Sequence, residues 1–262
     1  MGLIVPRRFN GTSSKFEYAA NEALVLGAQS IYVQCVFHGN NAASNNYIIG
    51  HCDSVANNGI RINNGGGAGG GITFGCDSTG TTGSPAKSWQ TFSLAYGAMV
   101  SLMATWDGGL LNSGILLYGL NPGQRNDQWS DWNSGAPTNN GSGAIRGPSG
   151  QPMALGGRTG GTTRISDFDL YRLARWNRML TFDESEMVHY LGVESVPVGL
   201  VFNWYNGADW GPYHLTAPSI LDINPGTGKT SYVVPPFDDG DDEDEWFPTP
   251  TAAELLMGQA CL

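Results

Sequence analysis

Apolar residues along most of this chain recur with a period of two. Residues 30–38, SIYVQCVFH, set Ile31, Val33, Cys35 and Phe37 on one side and Tyr32, Gln34, Val36 and His38 on the other. That alternation is a β-strand signal, because successive side chains of an extended chain point to opposite faces. Similar runs follow in YIIGHCD (47–53), GIRIN (59–63), ITFGCD (72–77) and WQTFSL (89–94). MVSLMATW (99–106) opposes Val100, Leu102 and Ala104 to Met99, Ser101, Met103 and Thr105. Asp107-Gly108 then signals a tight turn into GILLYGL (114–120). The runs are parted by clusters such as GNNAASNN, NGGGAGGG and STGTTGSP. Turn signals every ~8–12 residues predict an antiparallel sandwich.

The pattern lapses over residues 121–152, a polar Asn/Gly/Ser/Pro stretch that reads as a long loop. It returns in MALGGR (153–158) and ISDFDLYRLARWNRML (165–180). One helix is predicted at 182–191. Thr181 and Glu184 fit a capping box, acids fill the first turn, and Gly192 can supply a left-handed C-terminal residue. VGLVFNWY (198–205) is a further strand, and ILDI and TSYVVPPF are extended runs among prolines. The expected organisation is a sandwich over 1–195, additional strands packed on it over 196–228, and an extended arm over 229–262.

Composition narrows the class. Glycine contributes 38 of 262 residues and charged residues only 14%, which disfavours helical bundles. The run Asp238–Glu245 holds seven acidic residues and accounts for all but −3 of the net charge of −10. With three lysines, Lys15, Lys87 and Lys229, there is no basic face for nucleic acid and no polybasic membrane anchor. The start MGLIVPRRFNG is too short in apolar residues for an export signal, so cytoplasmic synthesis is expected. Cys35, Cys52, Cys76 and Cys261 form no C-x-x-C pair; buried thiols are expected, with a Cys52–Cys76 bridge as the alternative.

Three pieces, SIYVQCVFHGN with IIGHCD, MVSLMATWDGG with GILLYGLNPG, and MALGGRTGGTTRISDFDLYRLARWNRMLTFDESEMVHYL, resemble a laminin-G-like, concanavalin-A-like jelly roll. The last is closest, with Arg175 to Thr181 followed by Glu184 and Glu186. The resemblance covers about two thirds of the chain. It implies an all-β, two-sheet antiparallel jelly roll and leaves function open, since such modules occur in lectins, hydrolases, receptors and virus particles. It also implies a calcium ion as a possible cofactor, for which Asp53, Asp77, Asp107 and Asp127 are loop acids without a clustered motif.

No catalytic set emerges. Asp167-Phe168-Asp169 lacks the glutamates of a glucanase strand, and Asp183 to Glu186 open a helix. His38 and His51 could face each other across a 30–53 hairpin, but ordinary strand-end roles are expected. Neither NGGGAGGG nor GTGKTS (226–231) has phosphate-loop spacing. A glycan site is conceivable at Trp129 and Trp132, with Asp131 beside them, if the rings are exposed. The acidic arm carries Trp246, Phe247, Leu255, Leu256 and Leu262, apolar side chains suited to docking on a partner. The resulting expectation is a non-enzymatic bacteriophage structural protein. It would be a capsid decoration or other virion surface component, bound to capsid proteins and assembled as an oligomer, a trimer being favoured. The alternative is a lectin-like carbohydrate-binding module.

Overall fold

Two antiparallel sheets packed face to face make this chain an all-β jelly-roll sandwich. The computed structural model describes residues 6–11, 16–18, 27–38, 46–52, 59–64, 71–79, 86–89, 97, 99–120, 128–133, 138–145, 153–157, 166–205 and 208–209. The chain divides into two units, Met1–Lys229 and Thr230–Leu262, and every described residue belongs to the first. The ILDI and TSYVVPPF runs, the acidic run and the docking residues Trp246, Phe247, Leu255, Leu256 and Leu262 lie outside the described residues.

The strands are β1 (Arg7–Asn10), β2 (Phe16–Tyr18), β3 (Gln29–Phe37), β4 (Asn46–Cys52), β5 (Gly59–Asn64), β6 (Ile72–Cys76), β7 (Ala86–Trp89), β8 (Met99–Trp106) and β9 (Ile115–Leu120). They continue with β10 (Trp129–Asp131), β11 (Thr138–Asn139), β12 (Met153–Leu155), β13 (Asp167–Trp176), β14 (Leu200–Tyr205) and β15 (Ala208–Asp209), and α1 spans Phe182–Leu191. One sheet runs β10-β9-β8-β3-β13-β14-β15, with β1 also paired to β13. The other runs β11-β7-β6-β5-β4-β12-β2. Consecutive β3 and β4 thus belong to different sheets. The 30–53 segment is a crossover and not the hairpin that its sequence allowed.

The period-two pattern is realised as read. Ile31, Val33, Cys35 and Phe37 of β3 meet Val100, Leu102, Ala104 and Trp106 of β8 and Leu170 and Leu173 of β13 in the layer between the sheets. Ile60, Ile62, Ile72, Phe74 and Cys76 close it from the opposite sheet. Each Val, Leu, Ile or Phe among them, fully buried, contributes ~1.5–3 kcal/mol. β3 and β8 are buried on their other face as well. There Tyr32, Met103, Tyr118, Trp129, Ala174 and Trp176 form a second apolar layer with Leu180, Val188, Val193 and Val196. The helix and the 3-10 turn after it, Val193–Ser195, supply that cover.

The helix starts where its capping residues dictate. The Thr181 side chain accepts from the Glu184 N–H (3.2 Å) and the Glu184 carboxylate accepts from the Thr181 N–H (2.9 Å). Arg178 holds the same carboxylate from outside, at 2.7 and 2.9 Å, and its hydrogen bonds keep Glu184 below the usual glutamate range. Thr181→Ala should cost ~1 kcal/mol in urea unfolding, since it removes one arm of the box and leaves an amide without its acceptor. At the other end Gly192 does take a positive φ, 101°, but its ψ of 165° lies outside the left-handed helical region. That conformation is essentially glycine's alone.

The 121–152 stretch is more ordered than its composition predicts. β10 adds to β9, β11 adds to β7, and Ser78 bridges to Ile145.

Candidate functional site

Trp129 and Trp132 stand three residues apart on one extended strand end, so their side chains point to opposite faces of the sheet. Trp129 is 2% exposed and lies in the layer under α1. Its indole N–H donates to Ser185 Oγ (2.8 Å), and its ring stacks on His189 with centroids 4.8 Å apart. Its backbone N–H donates to the Tyr190 hydroxyl at 3.1 Å. Trp132 is 3% exposed and lies between the sheets, where its ring occupies the space left by the missing side chain of Gly119. The expected exposed platform is therefore corrected: two buried rings on opposite sides of a sheet cannot stack together on one sugar. Of that trio only Asp131 is exposed. Its carboxylate accepts from the backbone N–H (2.7 Å) and side-chain amide of Asn133. Asn133 in turn bonds both polar groups of the Leu117 backbone, so this pair fastens the turn after β10 to β9.

The histidines also part company. His38, at the end of β3, lies 2.6 Å from Asp169, whose other oxygen faces Arg8 at 3.5 Å; Arg8 reaches Asp167 at 2.6 Å. Burial raises the Asp169 carboxyl above its usual range, against the pull of Arg8. His51 is buried between the sheets against Arg175, with 3.1 Å between Nδ1 and the guanidinium. His189 meets the Tyr32 hydroxyl through Nδ1 at 3.2 Å.

Among the described residues no three His, Cys, Asp or Glu side chains converge as metal ligands. Of the four loop acids, Asp77 is held by Arg61 at 2.8 Å, and Asp107 accepts from the Gly109 N–H at 2.7 Å, closing its own turn. Asp53 and Asp127 lie outside the described residues. The described donors thus do not fit a calcium ion, which wants six to eight oxygens. Cys35 and Cys76 are free and buried, so no Cys52–Cys76 bridge forms. Burial pushes both thiols up, Cys76 to about 12, leaving them as small apolar side chains and not nucleophiles.

What the sequence did not single out is the outer face of α1. Met187, Tyr190 and Leu191 are 41%, 52% and 71% exposed. Their i, i+3, i+4 spacing gathers them on one stripe. Tyr190 is fixed there, its hydroxyl bound to the Trp129 N–H and its ring edge-on to His189 at 4.7 Å. An aromatic ring already held in place loses little entropy on contact with another surface.

No family model matches the chain, and no curated protein does. Two solved structures resemble it in shape. One is a protein of Bacteroides ovatus, described as a candidate carbohydrate-binding protein, at 14% identity and a TM-score of 0.49. The likeness covers 80% of this chain and 54% of that one, so the chain spans about half the length of the Bacteroides protein. The other is a heptameric SAP-like pentraxin of Limulus polyphemus, at 15% identity and a TM-score of 0.49, covering 82% of this chain and 90% of that one. The class that this chain's own strand order defines is the jelly-roll sandwich with one helix laid over a sheet.

Proposed function

We propose that this chain is a non-enzymatic structural module that works by protein–protein contact, as a surface component of a virus particle would. The observation that carries the reading is the apolar stripe Met187, Tyr190 and Leu191 on the outer face of α1. Several described polar groups near it are engaged internally. Ser185 holds Trp129, Glu184 holds the helix start and Arg178, and Asp131 holds Asn133. The sequence supports the same reading through its likeness to jelly-roll modules of phage particles and through its acidic, apolar-tipped C-terminal segment.

Native mass spectrometry and a glycan array test this together. The expected result is an oligomer of the 27.9 kDa chain, weakened to monomer by Met187→Ser with Leu191→Ser, and no glycan retained above background. A monomer that retains a defined glycan, equally in wild type and in that variant, would overturn the reading in favour of the carbohydrate-binding alternative.

A further inference from the structure

We propose that β1 is an exchangeable strand, seated in the oligomer on β13 of a second copy of this chain; the exchange rests on the self-association inferred above. Among the described strands β1 pairs with β13 alone, from Arg7↔Leu170 to Asn10↔Asp167. β3 lies along one edge of β13, from Phe168↔Phe37 to Trp176↔Ser30. On the other edge β14 reaches only from Trp176 to Arg172, and β1 fills the stretch that β14 leaves. Without β1 that stretch is an open edge, which another strand can complete.

The seat selects for its occupant. Phe9 is 1% exposed in the layer between the sheets and stacks on Phe168, with centroids 4.7 Å apart and planes within 5°. A Cβ on Gly156 would overlap the Phe9 ring, so glycine clears the space that the ring fills. At the rim, Arg8 meets the carboxylates of Asp167 at 2.6 Å and Asp169 at 3.5 Å. A cation followed by an aromatic thus fits two acids beside an aromatic. The β1 of a second copy presents the same residues in the same order and makes the same contacts.

Closed and exchanged forms therefore share their β1–β13 contacts, and neither is favoured by them. Two other features set the balance. The apolar contact through α1 favours the assembled state, so without it the chains close on themselves. The connection after β1 is the second feature. Residues 11–15 alone part β1 in the eight-stranded sheet from β2 in the seven-stranded one, and short connections favour exchange. The chain leaves β1 through Gly11 at a φ of 70°. Glycine takes that conformation freely, whereas a β-branched residue is strained there and would push the chain to leave β1 in another direction.

The test mixes two full-length variants, Asn10→Cys and Asp167→Cys, refolds them together and treats them with oxidised glutathione. Residues directly paired across antiparallel strands lie ~4.5–5.5 Å apart at Cα, within disulfide reach. Exchange should give a disulfide-linked dimer on a non-reducing denaturing gel, several times more in the mixture than from either variant alone. Gly11→Val in both chains should raise that yield about fivefold or more. A single chain carrying both cysteines checks that the register holds. If Asp167→Cys does not fold, Arg8→Cys mixed with Asp169→Cys probes another pair of the same register. An oligomer by native mass spectrometry with no linked dimer in the mixture, while the chain carrying both cysteines closes on itself, would overturn the exchange and leave the α1 contact standing. Monomers alone, in wild type and in every variant, would overturn the self-association and the exchange with it.

Discussion

Trp129→Ala should destabilise the sandwich unit by about 3–5 kcal/mol in urea unfolding, the range for emptying a large aromatic site. The indole fills the layer between the eight-stranded sheet and α1, with Tyr32 at 6.4 Å and His189 at 4.8 Å between ring centroids. Alanine would leave a cavity bounded by the sheet on one side. The helix on the other side is held to the sheet by Val188 in the same layer and by the Tyr190 hydroxyl on the Trp129 backbone N–H, contacts that limit how far it can sink. The substitution would also remove the indole donor to Ser185 Oγ. Ser185 would keep its own donation to the Phe182 carbonyl at 2.6 Å, so the lost hydrogen bond adds ~1 kcal/mol and no stranded charge. Trp129→Phe keeps much of the volume and should fall between the two. A tryptophan serving as a surface platform would behave differently, since exposed substitutions usually stay within ~0.5 kcal/mol. A measured cost that small would mean that α1 does not rest on this ring.

Much of the architecture could be read before any coordinates, because the layer between the sheets is built by period-two strands. The β3 and β8 alternation named the inward residues, and Thr181 with Glu184 named the first turn of α1. Misreadings arose where a residue's meaning depends on a layer that sequence periodicity does not report. Tyr32 and Met103 are apolar residues on the nominally outer face of their strands, and only the helix over them explains their burial. Asn, Gly and Ser dominate 121–152, so composition alone sets both tryptophans on a loop. Had Trp129 to Trp132 been read as extended, the odd spacing would have set the two rings on opposite faces. Arg175 carried a similar signal, since it shares the parity of Leu173 on β13 and so points at the sheet opposite. What the sequence could not supply was its partner, because His51 lies 124 positions away. The exposed stripe of α1 was hidden for another reason. Met187, Tyr190 and Leu191 look like ordinary core residues until Ser185 and Val188 are found to be the buried ones.

Gly119→Ala should be the most damaging single-methyl change in the eight-stranded sheet, at about 3 kcal/mol or more, the upper end of overpacking costs. A Cβ at this inward position of β9 would overlap the six-membered ring of Trp132. It would also come within 2.7 Å of the Ser101 carbonyl oxygen. Neither obstacle can move cheaply. Trp132 is buried between the sheets, and Ser101 belongs to β8, which pairs with both β3 and β9. Glycine in a strand interior usually weakens it, so its presence here marks a close approach by another group. A double-mutant cycle separates the two obstacles. In a Trp132→Leu background the ring is gone while the Ser101 carbonyl remains. The added cost of Gly119→Ala should then shrink by ~1 kcal/mol or more without vanishing, a coupling of the size seen for groups in direct contact. Strictly additive costs would show that the Trp132 ring does not lie over Gly119, and would reopen the question of where that ring points.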